Sequence, residues 1–409
     1  MNAVVGFYRD EMDVEVDSAV NQRRDRMTLA HRSRRPEHRR NSAPASVNGI
    51  HRRRNKRWTW GSGRGSRMMS LRAMASGLAL ALAGLAGSAL AGPAMLMPVT
   101  IDYATVGNPG NVALNTGTYG PRGSVSETFN IAKYETSNAD YVKFLNTVDP
   151  SGTNPNSIYN AAMTSDTTNG GILNTGTVDG ARYSVRSGFD LKPVTYVSWF
   201  SAARFANWLN NGQTSGTAGT ETGAYTLNGV TSGAPVARNG GAQVYLPNID
   251  EFTKAAFYNP NDGSYFSYGT TNNSVPTPAS GGAGTNQAAF NGTGAPPSTT
   301  GVVDGNAFPN TTSPYGMFNA FGNVAEWNET ASGSLANVNG SGWRTITSSA
   351  PNWTSSQVRF FSPTTVNDSY GFRVAAVPEP GAIILAAAGL GGVFGGEFIR
   401  RRRRKAKAC

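Results

Sequence analysis

The stretch Gly322-Asn323-Val324-Ala325-Glu326-Trp327 decides the fold of this chain. Residues 313–319, Ser-Pro-Tyr-Gly-Met-Phe-Asn, introduce it, and residues 371–375, Gly-Phe-Arg-Val-Ala, follow it further along the chain. Gly322 allows the backbone to turn sharply at this point. Gly, Asn, Thr and Ser dominate the sequence on both sides, and such a composition predicts long irregular loops and few strands.

Three apolar stripes with helical spacing predict three helices in the same part of the chain. Each stripe begins after a residue whose side chain can cap a helix, namely Ser137, Ser198 or Asn248. The third cap has Glu251 three residues after it, which is the arrangement of a capping box. We expect all three stripes to face the core; they consist of Tyr141, Phe144, Leu145 and Val148, of Ala202, Phe205, Ala206 and Leu209, and of Phe252, Ala255 and Ala256.

These blocks, in this order, resemble the sulfatase-modifying factor or formylglycine-generating enzyme family. Residues 134–145 resemble the family's opening E-V-T-N-x-x-Y-x-x-F, residues 193–202 resemble P-V-x-x-V-S-W-x-x-A, and residues 246–256 resemble L-P-T-E-A-E-W-E-x-A-A. The resemblance runs over residues 99–376, and several spaced motifs in the right order are stronger than any one of them. It implies an α+β fold, a single irregular, loop-rich, C-type-lectin-like domain with few helices and short strands.

The reactive side chains that the family's reaction needs are missing from this domain. Enzymes of that family oxidise a substrate cysteine with a pair of their own cysteines, whereas the only cysteine here is Cys409. The histidines are His31, His38 and His51, all upstream of the domain. Because thiolates and imidazoles supply most nucleophiles and soft-metal ligands, we expect no catalytic residue and no copper. The leading interpretation is a calcium-stabilised binding or structural module, and the alternative is an oxidoreductase of the formylglycine-generating or non-haem iron type.

The resemblance also implies a calcium site at the decisive turn. Carried over by position, its ligands are the Asn319 amide oxygen, the Gly322 and Val324 carbonyl oxygens and the Glu326 carboxylate. Hard oxygen donors crowded into eight residues suit Ca2+. The alternative is that Asn319 and Glu326 only bond to neighbouring backbone amides in a tight turn.

Two further sites of the family would fall on loops. A second calcium site would use Asn286 and Asp304. The cleft that carries the catalytic cysteines in the family would here have aromatic and amide groups, which could bind a sugar or a peptide, although core packing explains the tryptophans equally well. The predicted lining of this cleft is Trp343, Asn352, Trp353 and Arg359, with Phe360.

The formal charge of +11 lies outside the predicted domain. Residues 1–91 contain 17 Lys and Arg against 7 Asp and Glu, and residues 381–409 contain 7 against 1. Residues 92–380 contain 12 against 17 and are therefore acidic. A nucleic acid is not expected as a partner of the domain.

The segment 68–91 has the layout of a signal peptide, and it predicts export. An apolar run over residues 77–91 follows Arg67 and Arg72, ends in Ala-Leu-Ala, and is shorter than the roughly 20 residues that span a bilayer. The alternative is a buried core helix. Residues 1–67 precede it, so we expect translation to begin at Met68 or Met69; the alternative is a nucleic-acid-binding arm rich in arginine.

The segment 377–409 resembles a PEP-CTERM sorting signal. It contains Pro378-Glu379-Pro380, an apolar run that ends near Ile399, and a basic cluster that begins at Arg400. The prolines keep the tripeptide extended, and the basic cluster stays cytoplasmic under the positive-inside rule. The resemblance implies an exosortase-type processing enzyme, transient anchoring in the membrane, and a final place in the cell envelope or outside the cell, where an extracellular polysaccharide could be a partner. An ordinary tail anchor is the alternative.

Overall fold

A computed structural model describes residues 97–292 and 301–378. The predicted signal peptide, the basic arm, the apolar run and basic cluster of the sorting signal, the three histidines and Cys409 all lie outside these residues. Pro378 is described, whereas Glu379 and Pro380 are not. Within the described ranges, no helix combines the length and the apolar character that crossing a membrane requires.

The three predicted helices are present and begin where the caps place them. Ser137 accepts a hydrogen bond from the Asp140 amide, and Ser198 accepts one from the Ser201 amide. Asn248 and Glu251 form the predicted capping box. In chain order the α-helices are α1 (Asn138–Val148), α2 (Ala162–Ser165), α3 (Trp199–Asn210), α4 (Ala218–Glu221) and α5 (Ile249–Phe257), and the 3-10 helices are Gly117–Tyr119 and Thr347–Trp353.

Most strands are short, and the longest ones pair in two four-stranded sheets, with orders β1-β4-β14-β7 and β12-β11-β10-β13. The remaining strands form the pairs β2-β3, β5-β6 and β8-β9. The strands are β1 (Tyr103–Val106), β2 (Leu114–Asn115), β3 (Pro121–Arg122), β4 (Phe129–Ala132), β5 (Ile172–Asn174), β6 (Tyr183–Val185), β7 (Val244–Tyr245), β8 (Thr277–Pro278), β9 (Gln287–Ala288), β10 (Ala325–Ser332), β11 (Leu335–Asn339), β12 (Arg359–Phe361), β13 (Tyr370–Phe372) and β14 (Ala375–Ala376). Few helices and short strands in one loop-rich α+β domain confirm the predicted fold class.

The two sheets are connected at Arg373 and Val374. Strand β13 lies parallel to β10, with Gly371 opposite Glu326. After the two linking residues Arg373 and Val374 the chain enters β14, which pairs with β4 on one side and with β7 on the other. The end of the domain therefore joins strands that are distant in sequence.

Aromatic side chains from α1 and α3 fill the centre of the core. Phe144 lies 5.4 Å from both Phe205 and Trp208, measured between ring centroids, and Phe205 lies 5.3 Å from Phe372 of β13. The predicted stripes are buried, except that Leu209 is only partly buried against the core. Burying these apolar faces supplies the main driving force for packing the helices against the sheets.

Candidate functional site

The decisive turn is held in a conformation that few residues adopt. The φ angles of Asn319, Gly322 and Asn323 are 52°, 90° and 61°. A Cβ atom at Gly322 would lie 2.7 Å from the Ala289 carbonyl oxygen, so only glycine fits there. The Asn323 side chain accepts from the Val303 amide (2.9 Å) and donates to the Val303 carbonyl oxygen (3.2 Å). The turn is thus fixed to the preceding loop.

A buried ion pair lies directly behind this turn. The Arg373 guanidinium donates to both oxygens of Glu326, at 2.5 and 2.6 Å, and both side chains are at most 1% exposed. Its other N–H groups donate to the carbonyl oxygens of Ala132 (3.1 Å), Lys133 (2.9 Å) and Phe318 (3.0 Å). Arg373 therefore has all its donors satisfied and joins β4, β10 and the turn.

A second buried carboxyl group, Glu135, adjoins this ion pair. The Asn319 amide donates to Glu135 Oε2 (3.0 Å) and to the Gly305 carbonyl oxygen (3.1 Å), whereas Glu135 Oε1 has no hydrogen-bond partner among the described residues. Burial raises the pKa of Glu135 to about 8, with Arg373 opposing the rise and Glu326 adding to it. Burial also raises the pKa of Glu326, against the effect of Arg373. Because Glu326 has the bidentate arginine and Glu135 only an amide, Glu326 is the ionised partner and Glu135 retains the proton.

These contacts bear on the residues predicted to bind calcium. Asn319 bonds to Glu135, and both oxygens of Glu326 bond to Arg373, so the Glu326 carboxylate does not fit as a calcium ligand in this arrangement. Asn319 Oδ1 and the carbonyl oxygens of Gly322 and Val324 stay predicted ligands, and three oxygens fall short of the six to eight that Ca2+ takes. Among the described residues, no group of three or more His, Cys, Asp or Glu side chains could hold a metal ion.

In the described part of the chain, the two residues of the predicted second calcium site share neither a hydrogen bond nor a cavity. The Asn286 amide oxygen accepts from the Thr270 hydroxyl group at 2.5 Å, beside strands β8 and β9. Asp304 lies at the edge of a separate cavity, whose lining does not include Asn286.

Three of the five residues predicted to line the ligand cleft, Asn352, Trp353 and Arg359, do lie together. The Arg359 guanidinium carbon lies 4.9 Å from the centroid of the Trp353 ring, and Arg359 Nε donates to the Asn352 carbonyl oxygen (3.3 Å). We call the cleft beside them the Arg359 cleft; its volume is about 10 Å³, which is room for one water-sized group. Its lining is Thr253, Phe257, Val338, Asn339, Gly340, Asn352, Trp353, Thr354, Ser355, Gln357 and Arg359.

The Arg359 cleft offers hydrogen-bond donors and no acidic group. Its lining contains no Asp, Glu, His or Cys. The buried Asn339 Nδ2 has no partner among the described residues. Behind the cleft, Arg122 is 4% exposed and donates through Nε to the Ser355 carbonyl oxygen (3.2 Å), while its Nη2 has no described partner. Burial lowers the pKa of Arg122. Sequence reasoning missed Asn339 and Arg122, since no motif marks either residue.

A family model of the sulfatase-modifying factor enzyme 1-like domain matches residues 103–377. The chain belongs to this family. The matched residues include both four-stranded sheets, the decisive turn and the Arg359 cleft. Curated proteins give no match to the chain.

Several solved structures are similar to this sulfatase-modifying factor domain. Variable protein 1 of Treponema denticola is 18% identical, with 68% of this chain and 95% of that chain covered and a TM-score of 0.42. CarF is 16% identical; the alignment covers 68% of this chain and 99% of CarF, with a TM-score of 0.44. PvdO from Pseudomonas aeruginosa is 16% identical, with 69% and 92% covered and a TM-score of 0.36. Similarity at this level says nothing about activity.

Trp343 and Phe360, the other two residues predicted for the cleft, are not in its lining. Trp343 lies elsewhere in the sulfatase-modifying factor domain. Its Nε1 donates to the Asp368 carbonyl oxygen (2.9 Å), and the Arg344 guanidinium carbon lies 4.8 Å from its ring centroid. Arg344 in turn donates to both Asp368 oxygens, at 2.7 and 2.6 Å. The side chains of Trp343 and Arg344 thus both bond to Asp368, and neither residue lines the Arg359 cleft.

The family's catalytic cysteines would fall between Trp343 and Arg359. This stretch forms the 3-10 helix Thr347–Trp353, followed by β12. It contains Arg344 together with hydroxyl, amide and apolar side chains, and no thiol. The chain thus belongs to the sulfatase-modifying factor family, and its matched residues 103–377 contain no cysteine.

Proposed function

We propose that this domain is a non-catalytic binding module, which holds a carboxylate-bearing extracellular polysaccharide at the Arg359 cleft. The observation that carries the proposal is the lining of the cleft, which has the unpartnered donor Asn339 Nδ2 and the Arg359 guanidinium group but no acid, thiol or imidazole. Such a surface binds an acceptor-rich anion and has no group that can act as a nucleophile or general base near neutral pH.

Arg359 is oriented before a ligand arrives. Stacking on Trp353 and the bond from Nε to the Asn352 carbonyl oxygen fix the plane of the guanidinium group. No described residue accepts a hydrogen bond from its terminal Nη1 and Nη2 groups. A planar fork held in this way suits a carboxylate, which accepts two parallel hydrogen bonds.

The size of the cleft supports recognition of a single acidic group. A volume of about 10 Å³ admits one carboxylate oxygen and not a sugar ring. The Trp353 ring has Arg359 over it and packs against the core, so stacking of a sugar on this ring contributes little. Charge and hydrogen bonding, rather than aromatic stacking, select the ligand.

The location proposed for this activity is the cell envelope or the extracellular space. The signal-peptide layout of residues 68–91 and the sorting-signal pattern of residues 377–409 support export and processing by an exosortase-type enzyme. A polymer rich in uronic acids is the kind of acidic partner found outside a cell wall or membrane.

Calorimetric titration of the full-length chain with alginate oligosaccharides tests this function. We expect binding that weakens as salt rises, because the contact is electrostatic. We expect Arg359→Met to weaken it at least tenfold, about 1.4 kcal/mol, and Arg182→Met, which removes a charge remote from the cleft, to leave it within twofold. Neutral dextran should not bind.

Three outcomes would refute the proposal. Alginate could fail to bind, Arg359→Met could bind it as well as the unchanged chain, or polyglutamate could bind while alginate does not. Assays for thiol oxidation with and without copper provide a separate check, since turnover would favour the oxidoreductase alternative that family membership suggests.

A further inference from the structure

A second and larger cavity lies apart from the Arg359 cleft. Its volume is about 420 Å³, within the range of small-molecule sites. We call it the Lys192 cavity. Its lining is Thr168, Lys192, Ser280, Gly281, Gly301, Val302, Val303, Asp304, Asn306 and Ala307.

Main-chain hydrogen bonds fix the walls of the Lys192 cavity. The Gly305 amide donates to the Leu191 carbonyl oxygen (2.8 Å), which places the segments of Asp304 and Lys192 side by side. The Ala307 amide donates to the Asp304 carbonyl oxygen (2.9 Å), and the Gly282 amide donates to the Ala307 carbonyl oxygen (2.9 Å). The amides of Val302 and Val303 are held from behind the wall, by Asn169 Oδ1 (3.0 Å) and Asn323 Oδ1 (2.9 Å) respectively. The cavity is therefore formed in advance rather than by a ligand.

Gly301 shows how closely the walls are joined. A Cβ atom at this position would lie 2.3 Å from Asn169 Oδ1 and 3.3 Å from the Thr168 carbonyl oxygen. Only glycine allows the backbone to approach Asn169 at this distance. The loop that carries Val302 and Val303 thus packs directly against the segment that carries Thr168.

Two opposite charges line the same cavity without forming an ion pair. Lys192 Nζ lies 4.3 Å from the centroid of the Phe189 ring, and it has no acidic group within ion-pair distance among the described residues. The Asp304 carboxylate accepts no hydrogen bond and joins no ion pair in the described part of the chain. Both side chains are partly buried. Among the described residues, Lys192 has an aromatic ring but no acidic group beside it, and Asp304 has no basic group beside it, so neither charge is paired by them.

We propose that the Lys192 cavity binds a small zwitterion, of which a free amino acid is the simplest. The ligand's carboxylate pairs with Lys192 and its ammonium group pairs with Asp304, so that both charges are neutralised by one molecule. Thr168, Ser280 and Asn306 add hydroxyl and amide groups for the ligand's polar atoms. The site is separate from the Arg359 cleft, and it does not depend on the function proposed for that cleft.

A ligand that carries both charges should bind more tightly than a ligand that carries only one of them. An isolated anion would satisfy Lys192 and be repelled by Asp304 in the same cavity, and an isolated cation would meet the reverse. At such partly buried positions the effective dielectric constant is near 20. The attraction to the opposite charge and the repulsion from the like charge are then both large enough to distinguish a zwitterion from a singly charged ligand. The cavity is specific for a zwitterion because it pairs both of the ligand's charges and also repels a ligand that carries only one charge.

The test is calorimetric titration of the full-length chain with a matched set of probes. L-alanine and L-glutamine carry both charges, acetate carries only the carboxylate and ethylamine only the ammonium group. We expect at least one amino acid to bind, and acetate and ethylamine to bind at least tenfold more weakly. Lys192→Met and Asp304→Asn should each weaken binding of that amino acid at least tenfold, while Lys143→Met and Asp179→Asn, which remove surface charges elsewhere, should change it less than twofold.

Thermal unfolding without ligand shows whether the variants keep their fold. Thr168→Val is a further variant that leaves both charges in place, and it should weaken binding by less than the charge variants do.

The proposal is overturned if no amino acid binds, if acetate or ethylamine binds as tightly as the amino acids, or if Lys192→Met retains full affinity. It is also overturned if Ca2+ binds in the absence of any amino-acid binding and Asp304→Asn abolishes that binding, since the cavity would then be a cation site.

Discussion

Arg373 shows how one side chain can connect a whole domain. It lies between β13 and β14, where the chain passes from one four-stranded sheet to the other. Its guanidinium group donates to Glu326 of β10 and to main-chain oxygens of Ala132, Lys133 and Phe318. A buried charge is tolerated only when it is paired and its hydrogen bonds are satisfied, and Arg373 meets both conditions.

Arg373→Met should therefore destabilise the domain by about 3–5 kcal/mol, because Glu326 would be left buried without its partner. Urea unfolding at neutral pH measures the effect. The double variant Arg373→Met with Glu326→Gln should recover part of the loss, since no unpaired charge remains. Arg182→Met, a change at a partly exposed ion pair with Asp179, should cost about 0.5 kcal/mol or less. A loss below about 1 kcal/mol for Arg373→Met would contradict this role.

At the residue scale, the sequence predicted positions better than contacts. The stretch that contains Arg373 was sufficient to place it in the fold, but the sequence assigned Glu326 to calcium, whereas its carboxylate bonds to Arg373. Arg122 and Asn339 lie in no motif; Asn339 lines the cleft with an unpartnered Nδ2, and Arg122 contacts the cleft only through the Ser355 carbonyl oxygen. Long-range side-chain pairing of this kind has no local signal in one sequence.

Among the elements, α5 has the strongest local determinants. Asn248 Oδ1 accepts from the Glu251 amide (2.8 Å), and Glu251 Oε2 accepts from the Asn248 amide (2.7 Å). Arg238 Nη2 lies 3.3 Å from Glu251 Oε1 and 3.2 Å from Glu329 Oε1. Because Glu329 belongs to β10, Arg238 connects the cap to that strand. The start of α5 is thus coupled to the sheet beside it.

Asn248→Ala should lower the free energy of unfolding by about 1 kcal/mol, because it removes one half of the capping box. Asn248→Asp keeps an acceptor at the helix N-terminus and should be nearly neutral. Both are measured by urea unfolding, with the exposed Asn261→Ala as a matched control of about 0.5 kcal/mol or less. If Asn248→Ala and Asn248→Asp are equally stable, the cap does not contribute as described.

The helices could be predicted because their signals are local. A cap and an apolar stripe within a dozen residues were enough for α1, α3 and α5. Helices α2 and α4 have four residues each, too few for a stripe, and were not predicted. Strands β3, β7 and β14 have two residues each, which is too short for alternation of apolar and polar side chains to be recognised.

For the whole molecule, topology comes from pairings that span the chain. Strand β14 forms hydrogen bonds with β4 and β7, and β10 lies beside β13. Neither composition nor the order of the motifs gave any indication of these strand partners. Resemblance therefore predicted the fold class, while pairing and register needed the structure.

Buried carboxyl groups give the whole molecule a characteristic dependence on pH. Burial raises the pKa of Glu135 to about 8 and that of Glu329 to about 7, against 4.5 for an ordinary glutamate. These groups stay protonated in the folded state at pH values where the unfolded chain has already released the proton. Their contribution to stability is complete below pH 4.5 and is lost as pH rises through 7 and 8. Glu221 acts in the opposite sense, because its pKa is lowered, so stability also falls in strong acid.

We expect the domain to be most stable near pH 5 and to lose stability steadily up to pH 8, with a slope of up to about 1.4 kcal/mol per pH unit for each proton involved. Urea unfolding at pH 5, 6, 7 and 8 measures this slope. Glu135→Gln keeps an oxygen for the Asn319 amide but cannot ionise, so it should flatten the slope by up to one proton's contribution, whereas the exposed Glu127→Gln should leave it unchanged. Burial lowers the pKa of Lys254 to about 8. Lys254 therefore increases the free energy of unfolding only above that pH, and it does not obscure the loss of stability expected between pH 5 and pH 8. An unchanged slope in Glu135→Gln would mean that Glu135 is already ionised in the folded domain, and that the buried cluster around Arg373 holds two negative charges rather than one.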